Sequence, residues 1–181
     1  LELQLGILIL KFPNLIILKS LSKAYGIPGL RLGYAATSNR DVLAKLRSDV
    51  PIWSINSLAQ YFVEEMGDYH EQFLASCLAV RRATQALHHE LQSVPYLYPY
   101  PSEGNFVLCK LLDSFTASQL TSQLYEQHKI FINDCSRKKG LDDRFVRIAS
   151  RTTEENIELV RVLRSLSGTK QGKDRKENGN I

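Results

Sequence analysis

Apolar positions recur along the chain at two different periods, and the two together mark out its elements. Leu5 to Leu10 is an apolar run whose periodicity does not separate strand from helix. The longer stretch Leu1 to Leu18 is interrupted by Glu2, Lys11 and Pro13, well short of the about 20 residues a membrane span needs, so buried strand is its better reading. Leu15 to Leu18, after the turn Pro13-Asn14, reads as a fully buried strand of a mostly parallel sheet, and Leu32 to Ala36 as a second strand. Asn39 opens a helix through about Arg47, with Asp41 in the first turn where the helix dipole favours a negative charge. Leu58, Ala59, Phe62, Val63 and Met66 then share one helical face.

A longer helix is predicted from about Tyr69 to Gln92, because Phe73, Cys77, Val80, Thr84, Leu87 and Leu91 follow one another at steps of three and four. Pro95, Pro99 and Pro101 form a crossing segment. Asn105 to Leu112 reads as a strand, and Thr116 to Gln119 as a capping box opening a helix with Leu120 and Leu124 inward. A short strand over Ile130 to Ile132 and a charged loop over Ser136 to Asp143 follow. Next come a strand over Phe145 to Ala149, a second capping box at Thr152 to Glu155, and a helix burying Leu159, Val160, Leu163 and Leu166. This second half has the order of a small α+β domain.

Composition sets limits. Hydrophobic residues are 44% and charged residues 23% of 181, the balance of a globular protein with a core. The net charge is +4, and residues 168–181, read as a disordered tail, hold Lys170, Lys173, Arg175 and Lys176 against Asp174 and Glu177. Half of the excess therefore sits in the tail, and the remainder is too small to argue for nucleic acid. Cys77, Cys109 and Cys135 are widely spaced and odd in number, which fits a reducing cytoplasm and neither a disulfide framework nor a zinc site. His70, His88, His89 and His128 have no metal-ligand companions at useful spacing and read as surface residues, so no metal is expected.

Candidate chemistry gathers between the first two strands, in Ser20-Leu21-Ser22-Lys23-Ala24-Tyr25-Gly26-Ile27-Pro28-Gly29-Leu30-Arg31-Leu32-Gly33-Tyr34. A lysine amine attacks a carbonyl only when neutral, so it must be partly desolvated or near other cations; apolar flanks and Arg31 could provide both for Lys23. A phosphate needs hydroxyl donors and a forked cation, which Ser20, Ser22 and Arg31 could supply. The plain alternative for a bare Ser-x-x-Lys is a solvated lysine on a loop. Arg147, between Val146 and Ile148, should point to the opposite sheet face from them and could hold a carboxylate in two parallel hydrogen bonds; the alternative is a charge ladder with Asp142 or Asp143. Asn56 could line a site or simply cap the helix after it, and Trp53 could line it or pack in a core.

As a whole the fifteen-residue stretch resembles the cofactor-lysine signature of the class I/II aminotransferases, the fold type I pyridoxal phosphate enzymes. The segments Trp53 to Ala59, Pro101 to Phe106 and Phe145 to Asn156 resemble the branch holding histidinol-phosphate aminotransferase and threonine-phosphate decarboxylase, and the resemblance covers roughly residues 12–167. It implies an α/β fold, the C-terminal half of an aspartate aminotransferase-like structure, about half the length of such subunits. The division implied is 1–70 as the end of the large pyridoxal-phosphate-binding domain, 71–92 as the interdomain helix and 93–167 as the small domain.

By the same resemblance Lys23 is the Schiff-base lysine, Ser20, Ser22 and Arg31 hold the cofactor phosphate, and Arg147 and Asn56 meet the substrate. The activity implied is transamination between an amino donor and a keto-acid acceptor, biosynthetic, by a cytoplasmic homodimer that binds neither nucleic acid nor membrane; the half-length chain alone should be inactive. Three rivals stand: a decarboxylase of the threonine-phosphate type, a non-catalytic aminotransferase-like sensor of a transcription regulator, and a structural fragment with no ligand. Members acting on phosphorylated substrates tend to carry arginine where this chain has Asn133, next to Asp134. That departure counts against a phosphorylated substrate. The Asp49 to Asn56 and Asn133 to Ser136 passages also resemble aminotransferase domains fused behind nucleotidyltransferases.

Overall fold

The computed structural model describes residues 2–112 and 115–168, and the predicted tail from residue 169 onward lies outside them. The chain divides after Phe73 into two compact units, Leu1–Phe73 and Leu74–Ile181. The boundary falls inside one helix, three residues past its first.

In the first unit, helix α1 (Glu2–Lys11) replaces the buried strand expected of the opening stretch. Ten residues rich in leucine are long for a strand, and leucine is a good helix former. Strand β1 (Ile17–Ser20) pairs with β2 (Gly33–Ala36) in an antiparallel two-stranded sheet. The expectation of full burial beside parallel neighbours is corrected here: Leu18 is 79% exposed. Between the strands lie only the four-residue helix α2 (Leu21–Ala24) and a single 3₁₀ turn (Pro28–Leu30), too little for the crossover that a parallel pair requires. The two strands approach closely at Gly33, where an added Cβ would lie 2.7 Å from the Lys19 carbonyl oxygen.

Helix α3 (Arg40–Asp49) starts where the sequence placed it, the Asn39 Oδ1 accepting from the Asp41 and Val42 amides. Helix α4 (Ser57–Glu65) is capped by Asn56. The unit's buried apolar residues are Leu21, Leu32 and Ala59, with Tyr25, Ile27, Leu30 and Phe62 packed on them. Tyr25 stacks on Phe73 at 4.1 Å and meets Phe62 edge-on.

Helix α5 (His70–Leu91) has the predicted length, but only Thr84, Leu87 and Leu91 of its apolar row are buried; Cys77 and Val80 are exposed. The second unit holds a four-stranded antiparallel sheet in the order β3 (Leu97–Pro99), β4 (Phe106–Leu111), β6 (Phe145–Ala149), β5 (Asn133–Asp134). Pairing of Leu97–Pro99 along the edge of β4 was not foreseen, because two prolines bracket it; an edge position tolerates the missing amide of Pro99. The short strand expected over Ile130 to Ile132 lies instead at β5. Lys129 ends helix α6 (Ala117–His128) in the left-handed conformation, the Ile130 amide bonds back to the Leu124 carbonyl, and the chain reaches strand geometry only afterwards.

Both capping boxes are present. Thr116 Oγ1 accepts from the Gln119 amide while the Thr116 amide donates to Gln119 Oε1, and Thr152 and Glu155 do the same at the start of α7 (Thr153–Gly168). One face of the sheet, with Val107, Cys109, Leu111, Val146 and Ile148, packs into one core with residues of α6 and α7 such as Leu120, Leu124 and Leu163. Burial there pushes the Cys109 thiol up to about 12 and keeps the Tyr96 hydroxyl protonated, free to donate to the Leu163 carbonyl at 2.9 Å. His88 departs from its expected surface position: its Nε2 is buried and meets no partner among the described residues.

Candidate active site

The lysine loop is held by few but well-placed contacts. The Leu21 amide donates to the Leu32 carbonyl at 3.0 Å, closing the loop at its base, and both side chains are buried. Asn56 uses both ends of its carboxamide: Oδ1 accepts from the Ala59 amide at 2.9 Å and Nδ2 donates to the Leu30 carbonyl at 3.1 Å. The cap reading and a link to the lysine loop are therefore both present in one side chain.

Leu30 and Leu32 are thus anchored on either side of Arg31. That residue takes up the difference, with φ +52 in the left-handed region, and its side chain is exposed, NH1 donating to the Pro28 carbonyl at 3.3 Å. For a residue with a Cβ this conformation costs about 1 kcal/mol or more and persists only where neighbours fix it, a condition that concentrates at functional sites. Trp53 has the same backbone anomaly, φ +63, and is 93% exposed rather than packed in a core.

Lys23 lies in the last turn of α2 and is exposed, so the desolvation expected of it is not supplied by the described residues. Ser20 is exposed, and its Oγ accepts from the Ser22 amide at 3.4 Å, which leaves the hydroxyl hydrogen to donate outward. Ser22 itself is buried, 7% exposed. An amine, a hydroxyl and a guanidinium are therefore all exposed on one tied loop. This donor set matches an aldehyde bearing a phosphate, and so fits pyridoxal phosphate.

Arg147 belongs to the second unit. Along β6 burial alternates, Val146 and Ile148 inward and Arg147 outward, as the strand period requires. Its guanidinium lies over the Phe106 ring, 5.0 Å from the centroid, and among the described residues no carboxylate pairs with it. Among the described residues neither Asp142 nor Asp143 forms an ion pair with it, and Asp142 Oδ1 accepts from the Arg144 amide. Phe106 escaped the sequence reading. Strand alternation places Phe106, Leu108 and Lys110 on one face of β4, but only the pairing register shows that this is the face of Arg147. A cleft of about 680 Å³ elsewhere in this unit, lined in part by Ile130, Phe131 and Leu159, holds none of Ser20, Ser22, Lys23, Arg31, Asn56 and Arg147.

Residues 8–163 match the family described as aminotransferase class I and II. The CMP-5'-(3-aminopropyl)phosphonate synthase of Streptomyces rubellomurinus is 34% identical over 88% of this chain and 26% of its own length. The L-serine phosphate decarboxylase of Sulfurospirillum multivorans is 34% identical over 86% of this chain and 40% of its own.

Among solved structures, the histidinol-phosphate aminotransferase of Clostridium acetobutylicum superposes with a TM-score of 0.77 at 27% identity, covering 89% of this chain and 48% of that one. The histidinol-phosphate aminotransferase of Sinorhizobium meliloti, solved in complex with pyridoxal-5'-phosphate, gives 0.56 at 25% identity, covering 84% and 41%. This chain spans less than half the length of each. The α/β fold expected from the sequence is that of these enzymes, in part. The chain belongs to the class I and II aminotransferases.

Proposed function

We propose that this chain carries the cofactor-lysine part of a pyridoxal-phosphate-dependent aminotransferase. The observation that carries the reading is the exposed set of Lys23, Ser20 and Arg31 on one loop, in a chain of this family. Bound there, pyridoxal phosphate would supply an aldehyde that condenses with amines and a ring that draws electrons from the carbon beside the amine.

The chain's own residues then have definite work. Lys23, when unprotonated, would hold the cofactor through its Nζ and, once released, would hold and move a proton at the substrate α-carbon as general acid and base. Ser20 Oγ and the Arg31 guanidinium hold phosphate oxygens; Ser22, buried, assists by donating its amide to Ser20. Asn56, expected to meet the substrate, also positions the loop through the Leu30 carbonyl. Arg147 holds the substrate carboxylate in a fork, its guanidinium plane steadied by the Phe106 ring. A homodimer acting on an amino donor and a keto acid belongs to this reading.

Decarboxylation is the second reading, favoured by the similarity to the L-serine phosphate decarboxylase. The two differ in which bond at the α-carbon is set for cleavage, and one experiment separates them. Intact protein loaded with pyridoxal phosphate is reduced with borohydride and mapped, and is assayed with a panel of amino acids for keto acid and for carbon dioxide. The expected outcome is label on Lys23 and keto acid, with Lys23→Arg lowering turnover by about 10³-fold or more. Carbon dioxide with amine product replaces transamination by decarboxylation, and an unlabelled Lys23 removes both.

A further inference from the structure

The four-stranded sheet packs one face against helices, and the register of its strands fixes what the other face carries. Tyr98 on β3, Lys110 on β4 and Phe145 on β6 oppose one another in a single row. Directly opposed residues share a face, with Cβ atoms about 5 Å apart. Val146, next to Phe145, is buried, so this row stands on the open side, where Tyr98 is 51% exposed and Lys110 is exposed too. In the adjacent row Arg147 opposes Leu108 on β4 and Asn133 on β5. Tyr100, whose amide donates to the Leu108 carbonyl at 2.8 Å, sets its ring beside the first row, 5.0 Å from Tyr98 and 6.4 Å from Phe145.

Rings and positive charge dominate this face. Its charged strand residues are Lys110 and Arg147; Asp134 opposes the buried Val146, so alternation puts it on the other face, and its Oδ1 accepts from the Ser136 amide at 2.7 Å. Each cation lies over a ring, Lys110 at 5.9 Å from the Phe145 centroid and Arg147 at 5.0 Å from that of Phe106, and among the described residues neither meets a carboxylate. A ring attracts a cation through its quadrupole without cancelling the charge. An anion can therefore be taken up here without first breaking an ion pair.

Two chemistries meet on the row of Tyr98, Lys110 and Phe145. Exposed aromatic rings on a sheet surface stack planar rings, and every nucleobase offers such a face. A lysine ammonium holds a phosphate as a point charge on a flexible stem, with no need of the fork that suits a carboxylate. A nucleotide joins base and phosphate through one sugar, which matches a ring and an ammonium on neighbouring strands. We propose that this face is a nucleotide site, in which the base stacks on the Tyr98 ring and the phosphate is held by the Lys110 ammonium. The site goes beyond the reaction at the lysine loop and does not rest on Lys23. Its ligand is a nucleotide either free or carried by an amino acid, and the second form rests on the reading of Arg147 as the carboxylate clamp.

The test is calorimetric titration of intact, cofactor-loaded protein with the four nucleoside 5'-monophosphates, their parent nucleosides and ribose 5-phosphate. At least one monophosphate is expected to bind about tenfold tighter or more than both its nucleoside and ribose 5-phosphate. Tyr98→Leu is expected to weaken it by about tenfold while leaving ribose 5-phosphate as it was, and Tyr98→Phe, which keeps the ring, to bind like wild type. Lys110→Gln is expected to bring the monophosphate down to the level of its nucleoside. No saturable binding by any monophosphate, or binding unmoved in Tyr98→Leu or in Lys110→Gln, overturns the proposal. The serine phosphodiester of the best-bound nucleotide then decides the source: a gain over the nucleotide alone that Arg147→Gln removes marks a substrate, and equal binding marks a free ligand. Borohydride labelling of Lys23 is read on the same preparations. Nucleotide binding with an unlabelled Lys23 removes only the proposed reaction, and a labelled Lys23 without nucleotide binding removes only this site.

Discussion

The two units divide chemistry and core unequally. In Leu1–Phe73 the described residues bury three apolar side chains in one cluster, while Trp53, Ile52, Leu10 and Leu18 stand 79% or more exposed. In Leu74–Ile181 nineteen buried residues form one cluster, drawn from the sheet, from α5, α6 and α7 and from the segments between them. Yet the lysine loop, with its left-handed arginine and tied base, is in the first unit. A segment that must present an amine, a hydroxyl and a guanidinium outward cannot also bury its side chains, so its shape rests on a few specific contacts instead of on packing. The second unit shows the other arrangement, with Arg147 on the open face of a sheet whose opposite face is packed tight.

The comparison predicts where mutations are felt. Leu163→Ala, at a fully buried position, should cost about 3–4 kcal/mol, and Leu21→Ala in the small cluster about half of that, because a sparse site collapses more easily. Urea unfolding followed by hydrogen exchange in each unit measures both, and equal losses would break the contrast. Gly33→Ala comes next: its Cβ would press on the Lys19 carbonyl, a backbone atom that cannot turn aside, at about 2 kcal/mol by analogy with overpacking. Exchange at the β1 and β2 amides should rise while that at β4 and β6 stays as before.

The smallest expected effect is that of Asn56→Ala, about 1 kcal/mol for a lost cap. It should nonetheless weaken cofactor retention, since the tie to the Leu30 carbonyl goes too. Asn56→Asp keeps the cap acceptor and lacks the Nδ2 donor, so it should preserve the stability of α4 and still loosen the loop.

Much of this was readable in the chain as written. The caps at Asn39, Asn56, Thr116 and Thr152 join groups only two to three residues apart, so the residues that make them are visible together. Alternation along Phe145 to Ala149 likewise showed which way Arg147 points. The misreadings lie where partners are remote. An apolar run at Leu5 to Leu10 says nothing of which neighbour covers it and turned out helical; β1 was given a buried parallel setting that its partner β2 does not provide. The edge strand at Leu97–Pro99 was hidden by its prolines, and His88 looked like any helix-surface histidine until the fold shielded its Nε2.

The sequence by itself determined the helix starts, the residue types of the lysine loop and the outward side of Arg147, because those depend on bonds and periods within a few residues. Only the tertiary structure decided that Arg31 is left-handed, that Lys23 is exposed, and that Asn133 rather than Asp134 stands opposite Arg147. Each of these depends on where distant backbone is anchored, and strand register, which a one-residue slip inverts, is fixed by packing across the sheet and not by the strand's own residues.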